Sequence, residues 1–432
     1  MRKILIALTC LFLGTPVMAV SLINDTETEA VLNQLVVPLA KAADIEPERL
    51  KIHIVNDDDF NAFVMGGEDV YIYTGLLKEI KNPSALQAVV AHEMGHTIGG
   101  HMAQLSERMN AEMKRTMLIQ ALGVGLMVAG GNPSLGAGVM AGATGVAQQS
   151  VLAFSRDEER IADNLGVELM VRAGLDPNGF TDVFKQMKEI TGAAESKINP
   201  NRVNHPLTDE RLKNIQEQIA TKHKNYKPQN INTKQQKKDY ELVRAKLVGY
   251  LDSPTRVREL YPDSDKSDSA IYARAIANMR GGNLDAAKVG IQTLISRQPN
   301  NPYFYELLGD VEYQYGHYDD SVDAYNHALK LNSHAPQIQT ALGLVLVARD
   351  KPGDKDQAID LCRRALLQAP APLTFWVMAR AFDADDGRAD WALAEYYNMI
   401  GDEKNVKKYA KRARKRLSKK DPEYIKAGDL LK

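Results

Sequence analysis

Apolar residues recur at helical spacing from Thr28 to Ala43 and predict an amphipathic helix. Lys51-Ile52-His53-Ile54-Val55 and Val70-Tyr71-Ile72-Tyr73-Thr74 read as strands, and Gly66-Gly67 marks a turn that makes 60–74 a hairpin. Pro83-Ser84 then opens a long helical pattern through Met109, and Arg156 to Gly166 reads as another helix. Between them, Met117 to Phe154 is apolar, rich in glycine and broken by Asn132-Pro133. It reads either as a helical hairpin lying against a membrane or over a cleft, or as a buried core hairpin. Each half is too short to span a bilayer. From about Asn225 to Ser269 the chain turns polar and loses periodicity, apart from a short helix at Tyr240 to Leu251. This predicts a domain boundary.

Beyond it the pattern repeats. Ala275, Gly309 and Gly343 stand thirty-four residues apart, and Gly282 and Gly316 each follow seven residues on. Ala287 matches Ser321, and Pro299 matches Ser333. Tyr305 and Tyr325 supply aromatic positions, and Ala394 and Gly401 repeat the seven-residue step near the end. Small residues at this period, where two helices cross, resemble tetratricopeptide repeats. Stacked helix pairs of that kind form a concave surface for a protein partner.

The first residues change the compartment. Met1-Arg2-Lys3 gives a positive start, Ile4 to Leu13 is apolar, and Val17-Met18-Ala19 offers a cleavage site. That is the layout of a secretory signal peptide cut after Ala19, with an apolar run too short for a membrane anchor. Export would leave Cys362 as the single cysteine, since Cys10 lies in the removed segment. An exported chain without a disulfide points to a bacterial periplasm. The charges, 54 basic against 55 acidic, exclude a uniformly basic nucleic-acid binder, and 44 % apolar content excludes wholesale disorder. The balance hides ten basic residues and one acidic between Glu403 and Lys420, read as a solvated capping helix or an anionic contact.

The candidate chemistry lies in His92-Glu93-Met94-Gly95-His96. Positions i and i+4 share a helix face, so both imidazoles can hold one ion, and Glu93 is turned one step away, placed to take a proton from an activated water. A catalytic zinc needs a third protein ligand and an open position. The metzincin spacing would put a histidine at position 102, where this chain has Met102. His101, nine residues after His92, lies about 180° away on a continuing helix, and cannot join the same ion unless the helix breaks at Gly99-Gly100. It is therefore expected to be structural or exposed. The helix from Arg156 offers Glu159 and Asp163, i and i+4, of which one can bind metal while the other orients a ligating histidine. Glu158 points elsewhere and is the weaker candidate.

His92–His96, the Glu159-x-x-Ala162-Asp163 helix and the hairpin from Asn61 through Tyr71-Ile72-Tyr73-Thr74-Gly75 together resemble the M48 zinc metallopeptidases over about residues 25–220. The family often has Glu directly before Ala-Asp, where this chain has Ile161. The resemblance implies one Zn2+ per chain on His92, His96 and Glu159, with Glu93 as general base and Asp163 orienting a ligand histidine. His205-Pro206, followed by Arg211, matches a further family feature. By resemblance His205 either fills the open coordination position and keeps the enzyme latent or steadies the oxyanion, and Arg211 binds a substrate carbonyl or anchors the loop. The plainer reading of His205 is a residue that merely precedes a helix capped by Thr208.

The expected architecture is mainly α with a small β-hairpin or sheet: a signal peptide (1–19), a zincin-like metallopeptidase domain (20–224), a linker with a short helix (225–268), an α-solenoid of tetratricopeptide repeats (269–420) and a tail (421–432). The expected function is hydrolysis of unfolded or misassembled envelope proteins, which the resemblance narrows to outer-membrane β-barrel proteins or their assembly machinery. The strand at Val70, Tyr71, Ile72 and Tyr73 would bind an extended peptide by strand addition. The alternative is a non-proteolytic chaperone or scaffold with a silent metal site. Against it, a purely structural site needs no base such as Glu93.

Overall fold

The computed structural model describes residues 22–65, 68–101, 155–192, 205, 208–230 and 232–432. The expected signal peptide, the Gly66-Gly67 turn, the glycine-rich segment 117–154 and Pro206 lie outside the described residues. Among those described, no helix is long and apolar enough to cross a membrane.

A four-stranded sheet forms from β1 (Leu22–Ile23), β2 (Lys51–Val55), β3 (Ala62–Met65) and β4 (Asp69–Tyr73), in the order β1-β2-β4-β3. The hairpin β3–β4 is as expected, with Ala62 opposite Ile72 and Met65 opposite Asp69. β4 also pairs in parallel with β2 along its whole length, so it is a central strand. The expected role of Val70 to Tyr73 in strand addition is corrected here: both edges of that strand are filled, and β3 carries the free edge on that side among the described residues. Val70 and Ile72 turn into the core, while Tyr71 stacks between Phe63 and His53 on the other face, at 4.6 and 4.5 Å between ring centres.

Helices α1 (Thr26–Ala42), α2 (Thr74–Glu79) and α3 (Pro83–Ile98) cover the sheet's apolar face, joined by α4 (Arg156–Arg172), α5 (Gly179–Gly192) and α6 (Asp209–Lys222). Local chemistry sets their starts. Asn82 caps α3 ahead of Pro83, Ser155 and Glu158 form a capping box on α4, and Thr208 caps α6 through the Arg211 amide.

Helix α7 (Lys234–Leu251) contains the short helix expected at Tyr240 to Leu251 and starts six residues earlier, and it is packed on both sides. Tyr240, Val243 and Leu247 enter the peptidase-side core, while Leu242 enters the core of the first repeat. The tyrosine hydroxyl of Tyr240 donates to the Ile80 carbonyl at 3.1 Å, and Arg244 Nη2 donates to that of Lys78 at 2.6 Å. Its first turns, Lys234 to Asp239, are wholly polar, which is why periodicity places the start at Tyr240. After the short α8 (Pro254–Leu260) come antiparallel pairs: α9 (Asp268–Arg280) with α10 (Leu284–Arg297), α11 (Pro302–Tyr315) with α12 (Tyr318–Leu331), α13 (Pro336–Arg349) with α14 (Asp354–Gln368), and α15 (Pro372–Ala381) with α16 (Gly387–Met399). Ala275, Gly309 and Gly343 occupy matching places in the first helices of three pairs, and Gly282 and Gly316 close those helices at φ +78° and +79°.

The basic stretch forms α17 (Glu403–Arg416), which buries Val406, Ala410 and Ala413 and leaves Lys404, Lys408, Lys411 and Lys415 on the exposed face. Its Arg412 and Arg416 flank the buried Asp390 at 3.1 and 3.0 Å. The expected tail instead forms α18 (Pro422–Asp429), with Ala427 buried in the last core cluster. Cys362 is buried in α14 as a free thiol pushed up to about 12 by burial, which keeps it inert.

Candidate metal centre

Two helices build the centre by crossing closely. A Cβ on Gly95 of α3 would stand 2.5 Å from the Ala162 carbonyl oxygen of α4, and one on Gly166 would stand 3.1 Å from that of Ala91. At Gly95 only glycine permits this approach, and at Gly166 a side chain would crowd both Ala91 and the Phe180 ring. The crossing sets Glu159 and Asp163 directly over His92 and His96.

His92, His96, Glu159 and His205 each offer one donor atom, and these atoms all lie within 4.8 Å of one another. The Nε2 atoms of His92 and His96 face each other at 3.1 Å, and each stands 3.5 Å from a Glu159 oxygen. His205 Nδ1 lies 2.6 Å from Glu159 Oε1 and 3.4 Å from His92 Nε2. Two imidazole lone pairs facing at such a distance in a buried site repel unless a proton or a metal ion lies between them. The donor set, two imidazoles and a carboxylate with a third imidazole beside them, suits a divalent transition metal.

Surrounding groups fix the donors. His92 Nδ1 faces Asp163 Oδ1 at 2.9 Å, which leaves Nε2 toward the centre. Arg211 donates from Nε and Nη2 to the two oxygens of Asp163, at 2.8 and 2.7 Å, and Nη1 stands 2.6 Å from Glu159 Oε2. Arg211 is thus engaged with these carboxylates and with the capped start of α6, at the wall of the cavity beside the centre. Burial opposes charge on Glu159, but bonds from His205, His92 and His96 hold its carboxyl well below the usual range. Asp163 is likewise held low, by Arg211 and His92 against burial. Burial works against protonated His92, yet Asp163 and Glu159 raise it to about 9, whereas burial keeps His96 down to about 4.

Glu93 stands beside the donors, with Oε1 3.6 Å from His205 Nε2, and burial raises its pKa. An apolar cavity opens at this point, walled by Phe60, Ala62, Phe180, Val183, Phe184 and Met187. Glu158 is committed to capping, its Oε2 accepting the Ser155 amide at 2.8 Å. Ile161 is 40 % exposed and takes no part in the cluster, so the departure from the family pattern leaves the site intact.

His101 takes the structural of its two expected places. Helix α3 ends at Ile98, Gly100 adopts φ +73°, and His101 folds back to 1 % exposure with Nδ1 3.0 Å from His96 Nδ1. It is neither exposed nor a ligand. The Gly99-Gly100 pair was the available signal.

A family profile described as Peptidase family M48 matches residues 26–219, the stretch that contains every one of these side chains. The chain carries an M48 peptidase domain. It is a metalloendopeptidase by class. Similarity extends beyond the domain to proteins named beta-barrel assembly-enhancing protease. The one from Yersinia pestis is 25 % identical over 79 % of this chain and 69 % of its own length. The one from Escherichia coli strain K12 is 24 % identical over 88 % of this chain and 77 % of its own. A thermophilic TPR protein of Thermus thermophilus is 18 % identical in sequence, with a TM-score of 0.24 over 44 % of this chain and 91 % of that one.

Proposed function

We propose that this chain is an exported, periplasmic zinc endopeptidase that cleaves unfolded or misassembled envelope proteins, with outer-membrane β-barrel proteins as its main substrates. The observation that carries the reading is the four-donor cluster, three of its donors buried, with Glu93 and an apolar cavity at its side. The similarity to beta-barrel assembly-enhancing proteases over most of the chain supports the substrate class.

His92, His96 and Glu159 would hold the zinc, one per chain. When bound, the ion supplies Lewis acidity toward a carbonyl and makes water a stronger acid. Glu93 then acts as base and acid in turn: its raised pKa lets it take a proton from the attacking water and return it to the leaving amine. His205 adds a fourth donor where an open position is needed, which supports a latent resting state. Arg211 and Asp163 hold His92 and Glu159 in register.

Substrate binding passes from β4 to β3. The Tyr73 amide donates to the Asn61 carbonyl at 3.1 Å, and by antiparallel alternation Phe63 and Met65 also bond inward. The backbone groups of Ala62 and Val64 therefore face the open edge, beside the cavity. An extended peptide laid there places one side chain among Phe180, Phe184 and Met187, which favours an apolar residue next to the scissile bond. Unfolded β-barrel strands have that character. The repeats would hold the substrate or its assembly machinery. A second reading, a scaffold without proteolysis, draws support from the fourth donor closing the site.

The test is cleavage of an unfolded β-barrel protein before and after chelation. Cleavage is expected to stop with chelator and return with zinc but not with magnesium. Activity indifferent to chelation would mean that hydrolysis does not depend on a metal at this centre.

A further inference from the structure

We propose that His101 is a positioning residue for the metal: its Nδ1 accepts the Nδ1 proton of His96 and thereby holds His96 in the form that can ligate. The inference rests on the zinc reading above. His96 turns Nε2 toward His92 and Glu159, so only a lone pair on Nε2 can serve an ion, and the ring proton must then sit on Nδ1. Nδ1 lies 3.0 Å from His101 Nδ1, and both rings are 1 % exposed, out of reach of bulk water. Reversing that bond, with His101 as donor, would move the His96 proton to Nε2 and close the site to an ion. The direction of one buried hydrogen bond thus decides whether the second ligand of the motif is available. His92 solves the same problem with a carboxylate, Asp163, and the two ligands are held by acceptors of different kind.

The backbone is shaped for this contact. Gly99 ends α3, Gly100 turns the chain at φ +73°, and a Cβ on Gly99 would stand 2.8 Å from His101 Nε2 and 2.9 Å from its Cε1. The glycine pair brings the imidazole back over the helix end and leaves room for it.

The experiment measures zinc affinity of the full chain by competition with a chromophoric chelator at fixed pH, together with the visible spectrum of the cobalt-loaded protein. His101→Phe, which keeps the ring volume and removes the acceptor, is expected to weaken zinc binding about 10- to 100-fold and to change the cobalt spectrum. His101→Gln, whose side-chain oxygen accepts, is expected to recover most of the loss. Gly99→Ala, which crowds the imidazole without touching its chemistry, is expected to weaken binding as well, and carries the test if His101→Phe does not fold. Affinity unchanged in folded His101→Phe, even with lowered thermal stability, would make His101 a packing residue and overturn the proposal. Equal weakening in His101→Gln would do the same. A parent chain that takes up no zinc would overturn the zinc reading itself, a result distinct from both.

Discussion

Arg211 braces the centre with a two-pronged bond to Asp163 and a third contact to Glu159, so the carboxylates that fix His92 are fixed in turn. Burial makes this arrangement sensitive to any lost partner, since an uncompensated buried charge costs about 3–5 kcal/mol. His92, Glu93 and His96 were legible in the sequence because a single helix turn holds all three. Glu159 and Asp163 were legible as a pair on one face, and the family pattern separated their roles. Arg211 and His205 lie more than forty residues from the carboxylates they touch, so no local periodicity could say which way they point. His205 now stands among the donors, with Nε2 toward Glu93. His205→Ala is therefore expected to raise the rate of cleavage of an unfolded substrate several-fold with zinc content unchanged, as read from initial rates. A fall in rate would favour the oxyanion role instead.

The elements explain why these residues meet. Helices α3 and α4 approach at Gly95 and Gly166 closely enough for two carboxylates to reach two imidazoles. Strand order was the part the sequence concealed. Alternation in 70–73 identified a strand, but its pairing with β2, some twenty residues earlier, is a non-local fact that moved the free edge to β3. Val64→Pro tests that edge, because the Val64 amide faces outward and contributes nothing to the β3–β4 ladder. Cleavage is expected to slow about tenfold or more, in proportion to the strand pairing lost at roughly 1.4 kcal/mol per decade, while zinc content and far-UV circular dichroism persist. Unimpaired cleavage would place substrate elsewhere.

Across the whole molecule, the peptidase side and the repeats share helix α7, and a buried charged network lies at their junction. Lys246 Nζ stands 2.6 Å from Asp25 and 3.1 Å from Glu27 of α1, and 3.9 Å from Glu306 of α11. Tyr272 donates to Glu27 at 2.9 Å, Tyr250 and Tyr325 donate to Asp310, and the Tyr303 ring lies under Lys246. Three carboxylates thus share one lysine, and a fourth, Asp310, is held by tyrosines beside them. Burial pushes Glu306 up to about 8 and Asp310 up to about 6, with Lys246 pulling the other way. A carboxyl raised in the folded state binds its proton more tightly there than in the unfolded chain, where the value is about 4.3. Its contribution is therefore greatest at acid pH and declines as pH rises from about 4.3 toward 8. Glu306→Gln should unfold at a higher temperature than the parent at pH 8, with the gap closing by pH 5, in thermal scans of both proteins. A gap that is constant with pH would mean that Glu306 does not titrate in this range. Lys246 binding both Asp25 and Glu306 also ties the start of the peptidase domain to the repeats, so both should unfold together.

The most direct measurement compares the parent with Glu93→Gln on an unfolded outer-membrane β-barrel protein, scoring new amino termini alongside zinc per chain. Cleavage by the parent is expected, none by Glu93→Gln, and about one zinc in each, since Glu93 is not among the converging donors. Cleavage by Glu93→Gln at the parental rate would contradict the role of Glu93 as base.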